Sequence, residues 1–280
     1  MVSSEQRRRQ LAREKFERQE KRRAEAAAAR KRRNTIMGTS LAVVVLAGGG
    51  TLFATGAFDS GKATSAASSP QAAPTQAAPT QPAAPTRKPV DGCSAPAPGA
   101  PNGKQFKTEP AMTIDPSGSY TMALDTNCGK VTVALDAAKA PHTVNSFAFL
   151  AGEQFFDHTK CHRLTTDGIF VLQCGDPTAS ATVPGGMGGP GYKFKDENLT
   201  GAAYPAGTVA MANSGPDTNG SQFFLVYKDT QLPPNYIPFG KITGGLDVVQ
   251  KIAAAGTLEG SSDGHPMADV TFNSVTVSKG

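Results

Sequence analysis

Two stretches concentrate the residues able to do chemistry. "CHRLTTDGIFVLQCGDP" over 161–177 sets His162, Arg163, Gln173 and Asp176 among apolar side chains, and "MANSGPDTNGSQFFLVY" over 211–227 interleaves Ala212, Asn213, Ser214 and Gln222 with Phe224. Neither carries an activated nucleophile. No Ser or Cys nucleophile motif accompanies His142, His158, His162 or His265, so each histidine reads as structural or solvated. Gly186-Met187-Gly188-Gly189-Pro190-Gly191 matches G-x-G-x-x-G, but Pro190 sits inside it and no amphipathic helix comes after it, which makes it a loop and not a phosphate cradle. A zinc site from Cys161, His162 and Cys174 lacks the compact C-x-x-C or H-x-x-x-H spacing such sites use. Disulfides are the default for Cys93, Cys128, Cys161 and Cys174, and four cysteines allow three pairings. Cys161 and Cys174 lie on consecutive runs able to pair antiparallel, so that bridge is preferred, leaving Cys93 to Cys128. Arg163 alone would read as half of a surface ion pair; its company is what makes it unusual.

With "QLPPNYIPFGKI" at 231–242, these strings resemble the cyclophilin family of peptidyl-prolyl cis-trans isomerases over roughly residues 120–277. The resemblance implies that Arg163 is the catalytic arginine, acting with Phe170, Gln173 and Asn213. It implies a proline pocket of Phe170, Val171, Phe224 and Leu232, and contact with the substrate backbone, or support of Arg163, from Gln173, Ala212, Asn213, Ser214 and Gln222. Gly186 falls in the loop beside the pocket, and Tyr236 lies where the family often has a histidine. No cofactor or metal is implied; the partners implied are proline-containing polypeptides. Three departures stand out: Val171 replaces the usual methionine, two extra residues separate Arg163 from Phe170, and Gln231 stands where many eukaryotic members carry tryptophan. The last implies weakened cyclosporin binding with isomerisation intact. The residue types suit a bond rotation that needs neither nucleophile nor proton shuttle, because a permanently charged donor can meet the lone pair that a twisted imide exposes. The competing expectation is a non-catalytic module that holds proline-containing partners in the same groove.

Short runs bounded by turn residues must position these side chains: 120–125, 131–135, 161–164, 170–173, 209–211, 223–226, 239–242 and 270–277. After Pro141, Val144, Phe147, Ala148 and Ala151 keep helical spacing up to Gly152; Leu246, Val249, Ile252 and Ala253 form a second stripe closed by Gly256. Two helices are too few to cover a parallel sheet. The expectation is therefore a mainly β fold, a closed eight-stranded antiparallel barrel of the cyclophilin type capped by two helices, occupying residues 104–280 as one domain and expected to be a monomer.

The chain's 28 Lys+Arg against 23 Asp+Glu give +5, yet residues 1–34 alone hold 13 basic and 5 acidic side chains. The remainder is mildly acidic, which excludes a nucleic-acid-binding globular domain. Residues 1–34 are expected to be a basic cytoplasmic tail and 35–58 a transmembrane signal-anchor helix, since 36–58 carry no charge and at ~1.5 Å per residue can cross a ~30 Å hydrocarbon layer. The cluster Arg30, Lys31, Arg32 and Arg33 keeps the amino terminus inside and sends the chain beyond residue 58 outside. Residues 59–103, rich in Ala, Pro, Thr and Gln, are expected to be a disordered linker. This plan looks like that of the membrane-anchored cyclophilins of actinobacteria: a single-pass protein of the cell membrane with its isomerase domain extracytoplasmic.

Overall fold

Alternation in the sequence becomes alternation in burial. In β1 (Tyr120–Thr126) the side chains of Tyr120, Met122 and Leu124 are buried, and β2 (Gly129–Leu135) answers with Val131, Val133 and Leu135. The computed structural model describes residues 85–180 and 185–280. It continues with α1 (Pro141–Gly152), β3 (Arg163–Thr165), β4 (Val171–Cys174), β5 (Thr208–Met211), β6 (Phe223–Val226), β7 (Pro238–Gly244), α2 (Leu246–Ala254), β8 (Asp263–Gly264) and β9 (Phe272–Lys279). All pairings between these strands are antiparallel, in the order β8-β3-β4-β6-β5-β7-β2-β1-β9.

The sheet curls into an open half-barrel of nine strands, which corrects the expected closed barrel of eight. All eight readable runs are strands. The ninth, Asp263–Gly264, has two residues and therefore no alternation to read. It pairs with β3 at one end of the sheet while β9 pairs with β1 at the other. Among the described residues an isolated bridge from Lys160, just before β3, to Thr271, just before β9, links the β3 side to the β9 side, while a second from Lys160 to Asp176 extends the β3–β4 pairing.

Helix α1 packs against β9 and α2 against β2. Val144, Phe147 and Leu150 of α1 are fully buried, and the Phe147 ring meets Phe239 at 4.6 Å, Phe156 at 5.2 Å and Phe223 at 5.4 Å. Ala140 offers α1 no capping side chain, so a distant carboxylate does the work: Glu197 Oε1 accepts from both the N–H and the hydroxyl of Thr143 at 2.7 Å. Gly245 starts α2 with φ +81°, where a Cβ would overlap the Lys130 carbonyl oxygen.

Strands β4, β5 and β6 are buried on both faces, as their nearly unbroken apolar runs VLQC, TVAM and FFLV require. Leu172, Cys174, Val209, Met211, Phe223 and Leu225 face the main core. On the other face Val171, Ala210, Phe224 and Val226 form a second apolar cluster with Tyr204, against which Ile169, Ala212, Leu232 and Tyr236 pack. That outer cluster is the floor of the candidate site.

Two disulfides, Cys93–Cys128 and Cys161–Cys174, match the preferred pairing. The first belongs to a stretch that composition placed in the linker: residues 85–103 lie along the domain, with Ser94 N–H donating to Asn127 O (2.8 Å) and Arg87 Nη1 to Pro266 O (2.7 Å). Composition misses this because the tether is one covalent bond and a few hydrogen bonds rather than an apolar stripe. The tail at 1–34, the span at 35–58 and the linker up to residue 84 lie outside the described residues. Among the described residues no helix is long and apolar enough to cross a membrane.

Candidate functional site

Register builds the site. Arg163 on β3 stands opposite Gln173 on β4, Gln173 opposite Phe224 on β6, and Phe224 opposite Ala210 on β5. These four residues form one row across four strands, so their side chains share a face. The loop after β6 closes over this row. Its Leu232 and Tyr236 are held by Tyr204, whose hydroxyl donates to Tyr236 O at 2.8 Å, and by Asn213, whose Nδ2 donates to Asn235 O at 2.7 Å. Tyr236 meets Phe224 edge-on at 5.6 Å.

The result is a hollow of about 150 Å³, lined by Arg163, Ile169, Val171, Gln173, Ala212, Asn213, Phe224, Leu232 and Tyr236. At ~30 Å³ of liquid per water molecule this is about five waters' share, a space for one small ring and not for a dinucleotide. A larger hollow of about 400 Å³ adjoins it, sharing Gln173, Ala212 and Asn213 and reached by Gly186, Ser214 and Gln222.

Phe170 is the residue that the structure does not bring here. Its ring packs edge-on against Tyr227 at 6.0 Å with the Lys228 ammonium 4.4 Å above it, in a separate depression. The reason is parity. Val171 and Gln173 point into the hollow, so a two-residue period puts Ile169 there and sends Phe170 to the other face. Ile169 takes the wall expected of Phe170, which sits three residues before Gln173 and so on the opposite face. Alternation back from Gln173 is the sequence signal that reveals it.

Polar groups fix the guanidinium. Arg163 Nη1 donates to Gln173 Oε1 at 3.2 Å, Gln173 Nε2 to Gln222 Oε1 at 2.9 Å, and Gln222 Nε2 to Gly188 O at 2.8 Å. On its far side Arg163 donates from Nε and Nη2 to the two oxygens of Asp263, both at 2.8 Å. The hydrogen bond to Asp263 holds the Arg163 guanidinium above its ordinary pKa against the effect of burial, and Arg163 holds the Asp263 carboxyl below its own. Asp263 lies 100 residues from Arg163 in a Ser/Gly turn, and nothing in the sequence announces it.

The glycine-rich motif has its own anion. Asp176 is fully buried; its Oδ2 accepts from the N–H groups of Gly186 (2.6 Å), Met187 (3.1 Å) and Gly188 (3.0 Å), and its Oδ1 from the Thr178 N–H and hydroxyl, both at 2.7 Å. Burial pushes this carboxyl up, but the Gly188 amide, Thr178 and the Gly186 amide outweigh it, leaving the group below the usual carboxylate range. The backbone nest that would hold a phosphate therefore holds a side chain. His162 is buried with neither ring nitrogen hydrogen-bonded, and burial lowers its pKa, which keeps it a neutral packing element beside Arg163. Cys161 and Cys174 are bonded to each other and so are not metal ligands, and among the described residues no three His, Cys, Asp or Glu side chains cluster to hold an ion.

The family model described as cyclophilin type peptidyl-prolyl cis-trans isomerase/CLD matches residues 121–277. The chain is 48% identical over 178 residues to a protein named probable peptidyl-prolyl cis-trans isomerase B of Mycobacterium leprae, covering 59% of this chain and 58% of that one. It is 45% identical to the protein of the same name in Mycobacterium tuberculosis, covering 59% and 56%. It is also 38% identical over 167 residues to the mouse protein named peptidyl-prolyl cis-trans isomerase-like 1, covering 58% of this chain and 92% of that one. The chain thus spans less than two thirds of the length of the mycobacterial relatives.

Proposed function

Because the chain belongs to the cyclophilin-type peptidyl-prolyl cis-trans isomerase family, we propose that it accelerates rotation about Xaa-Pro bonds in polypeptides folding outside the cell membrane. The observation that carries this reading is a guanidinium held at the rim of an apolar hollow by partners that leave part of it free.

Rotation sacrifices amide resonance across a barrier of about 18–20 kcal/mol, and at the half-turn the prolyl nitrogen becomes pyramidal with an exposed lone pair. Of the five N–H bonds of a guanidinium, Asp263 takes two of Arg163's and Gln173 one, leaving two on the Nη atoms for the imide. A donor that meets the lone pair only at the half-turn stabilises the transition state over either planar form. Val171, Phe224, Leu232 and Ile169 hold the pyrrolidine ring and exclude water, which strengthens the guanidinium's effect. An acceleration of about 10⁵ corresponds to roughly 7 kcal/mol. One charge-assisted hydrogen bond contributes only about 1.5–3 kcal/mol, so ring placement in the hollow must provide the larger share. Asn213, Ala212, Ser214, Gln222 and Gly186 line the adjoining hollow, which supports their meeting the peptide preceding the proline.

The same reading extends to the whole chain. Residues 1–34 lie in the cytoplasm, 35–58 span the membrane as in the anchored actinobacterial members, and the domain works as an extracytoplasmic monomer, where two disulfides persist. Gln231 in place of an aromatic residue weakens cyclosporin binding. The direct test is isomerisation of an Ala-Pro peptide by the full chain in a protease-coupled assay. Acceleration over the uncatalysed rate supports the enzyme; binding of the peptide without acceleration would instead make the groove a proline-binding module.

A further inference from the structure

We infer that Asp263 is a positioning residue for Arg163, and that the two-residue strand β8 brings its carboxylate to the site; this rests on the isomerase reading above. On β8 Asp263 pairs with Thr165, two residues along β3 from Arg163 and so on the same face. The diagonal contact lets the carboxylate reach the guanidinium side-on, engaging Nε and Nη2 in parallel at 2.8 Å. The turn that presents it is itself pinned: Thr166 N–H donates to Ser262 O at 2.8 Å, and Ser261 Oγ donates to Asp263 O at 2.8 Å.

Gln173 alone grips Arg163 by one 3.2 Å hydrogen bond, which leaves the guanidinium free to swing about it. The Arg163 side chain is 40% exposed, so packing does not fix it either. The Asp263 fork removes that freedom and leaves one N–H bond unused on each Nη atom of a side chain that lines the hollow. Asp263 also has an opposing effect: its negative charge partly neutralises the cation that the transition state uses. Orientation outweighs neutralisation, because ordering a long side chain in advance is worth about tenfold in rate, whereas the carboxylate's field is screened at a half-exposed position.

The two effects separate in the full chain by comparing Asp263→Ala and Asp263→Asn with the parent, each also made in an Arg163→Ala background. Readouts are kcat/KM for a Xaa-Pro peptide and, independently, the affinity for that peptide. Orientation predicts that Asp263→Ala lowers kcat/KM about tenfold with affinity within about twofold of the parent. Asp263→Asn, which keeps one acceptor, falls between the two, and Asp263→Ala has no further effect once Arg163 is alanine. Asp263→Asn faster than the parent would show that neutralisation dominates, and a loss that persists in the Arg163→Ala background would show a merely structural role; either overturns the inference. An Asp263→Ala protein at parental rate beside an inactive Arg163→Ala also rejects it while leaving the isomerase reading standing. Arg163→Ala at parental rate rejects that reading and this inference together.

Discussion

At the scale of single residues, the site is decided by which face of a strand a side chain takes. Gln173, Val171 and Phe224 were legible from their motifs, and all three line one hollow. Phe170 was legible as an aromatic beside Val171 but not as facing away, because motif matching carries residues over one by one and ignores the alternation that Val171 and Gln173 set. A paired substitution tests the reassignment. Ile169→Ala opens the hollow's wall and is expected to lower kcat/KM for a Xaa-Pro peptide about fivefold to tenfold, the scale of one to a few methylene contacts. Phe170→Ala removes an aromatic that packs on Tyr227 and beneath Lys228; it is expected to cost about 1–3 kcal/mol in a urea titration while kcat/KM stays within about twofold. The opposite ranking would return Phe170 to the pocket.

At the scale of elements, short runs between turn residues revealed eight strands and 3.6-residue spacing two helices, while β8 and the filling of the glycine-rich loop were hidden. A two-residue strand has no period, and a nest of N–H groups looks the same in sequence whether a ligand or Asp176 fills it. Asp176 makes this loop pH-sensitive in a defined direction. Its carboxyl is held below its ordinary value by the loop amides and Thr178, so the stabilisation is fully present above the unfolded value near 4 and is lost as pH falls through the native value. Asp176→Asn is therefore expected to be less stable than the parent at pH 7, with the difference shrinking below about pH 4, as read from urea midpoints at both pH values. A difference that grows on acidification would contradict the nest. The Gly188 carbonyl that orients Gln222 belongs to this loop, so the variant is also expected to loosen the polar relay to Arg163.

At the scale of the whole molecule, four cysteines were legible as two bridges, and the charge contrast between residues 1–34 and the rest with the uncharged stretch at 36–58 motivates the proposed membrane anchor, which lies outside the described residues. Composition read residues 85–103 as spacer, whereas Arg87, Ser94 and the Cys93–Cys128 bond hold them along the domain. The two bridges differ in the chain they enclose, with sequence separations of 35 for Cys93–Cys128 and 13 for Cys161–Cys174. Loop-closure entropy then predicts that replacing the first pair by serine costs about 4 kcal/mol and the second about 3 kcal/mol, measurable as shifts in denaturant midpoint under oxidising conditions. Equal stability of either double variant and the parent would show that the domain does not depend on that bridge.

The central claim is that a fixed guanidinium beside an apolar hollow stabilises the half-turned imide more than either planar isomer. Exchange spectroscopy on a Xaa-Pro peptide, with parent and Arg163→Ala protein at matched saturation, measures this most directly because it separates bound exchange from affinity. The account predicts that Arg163→Ala still binds the peptide, melts cooperatively, and exchanges about tenfold to a hundredfold more slowly, in keeping with about 1.5–3 kcal/mol from a charge-assisted bond. Equal exchange rates in the two saturated proteins would contradict it.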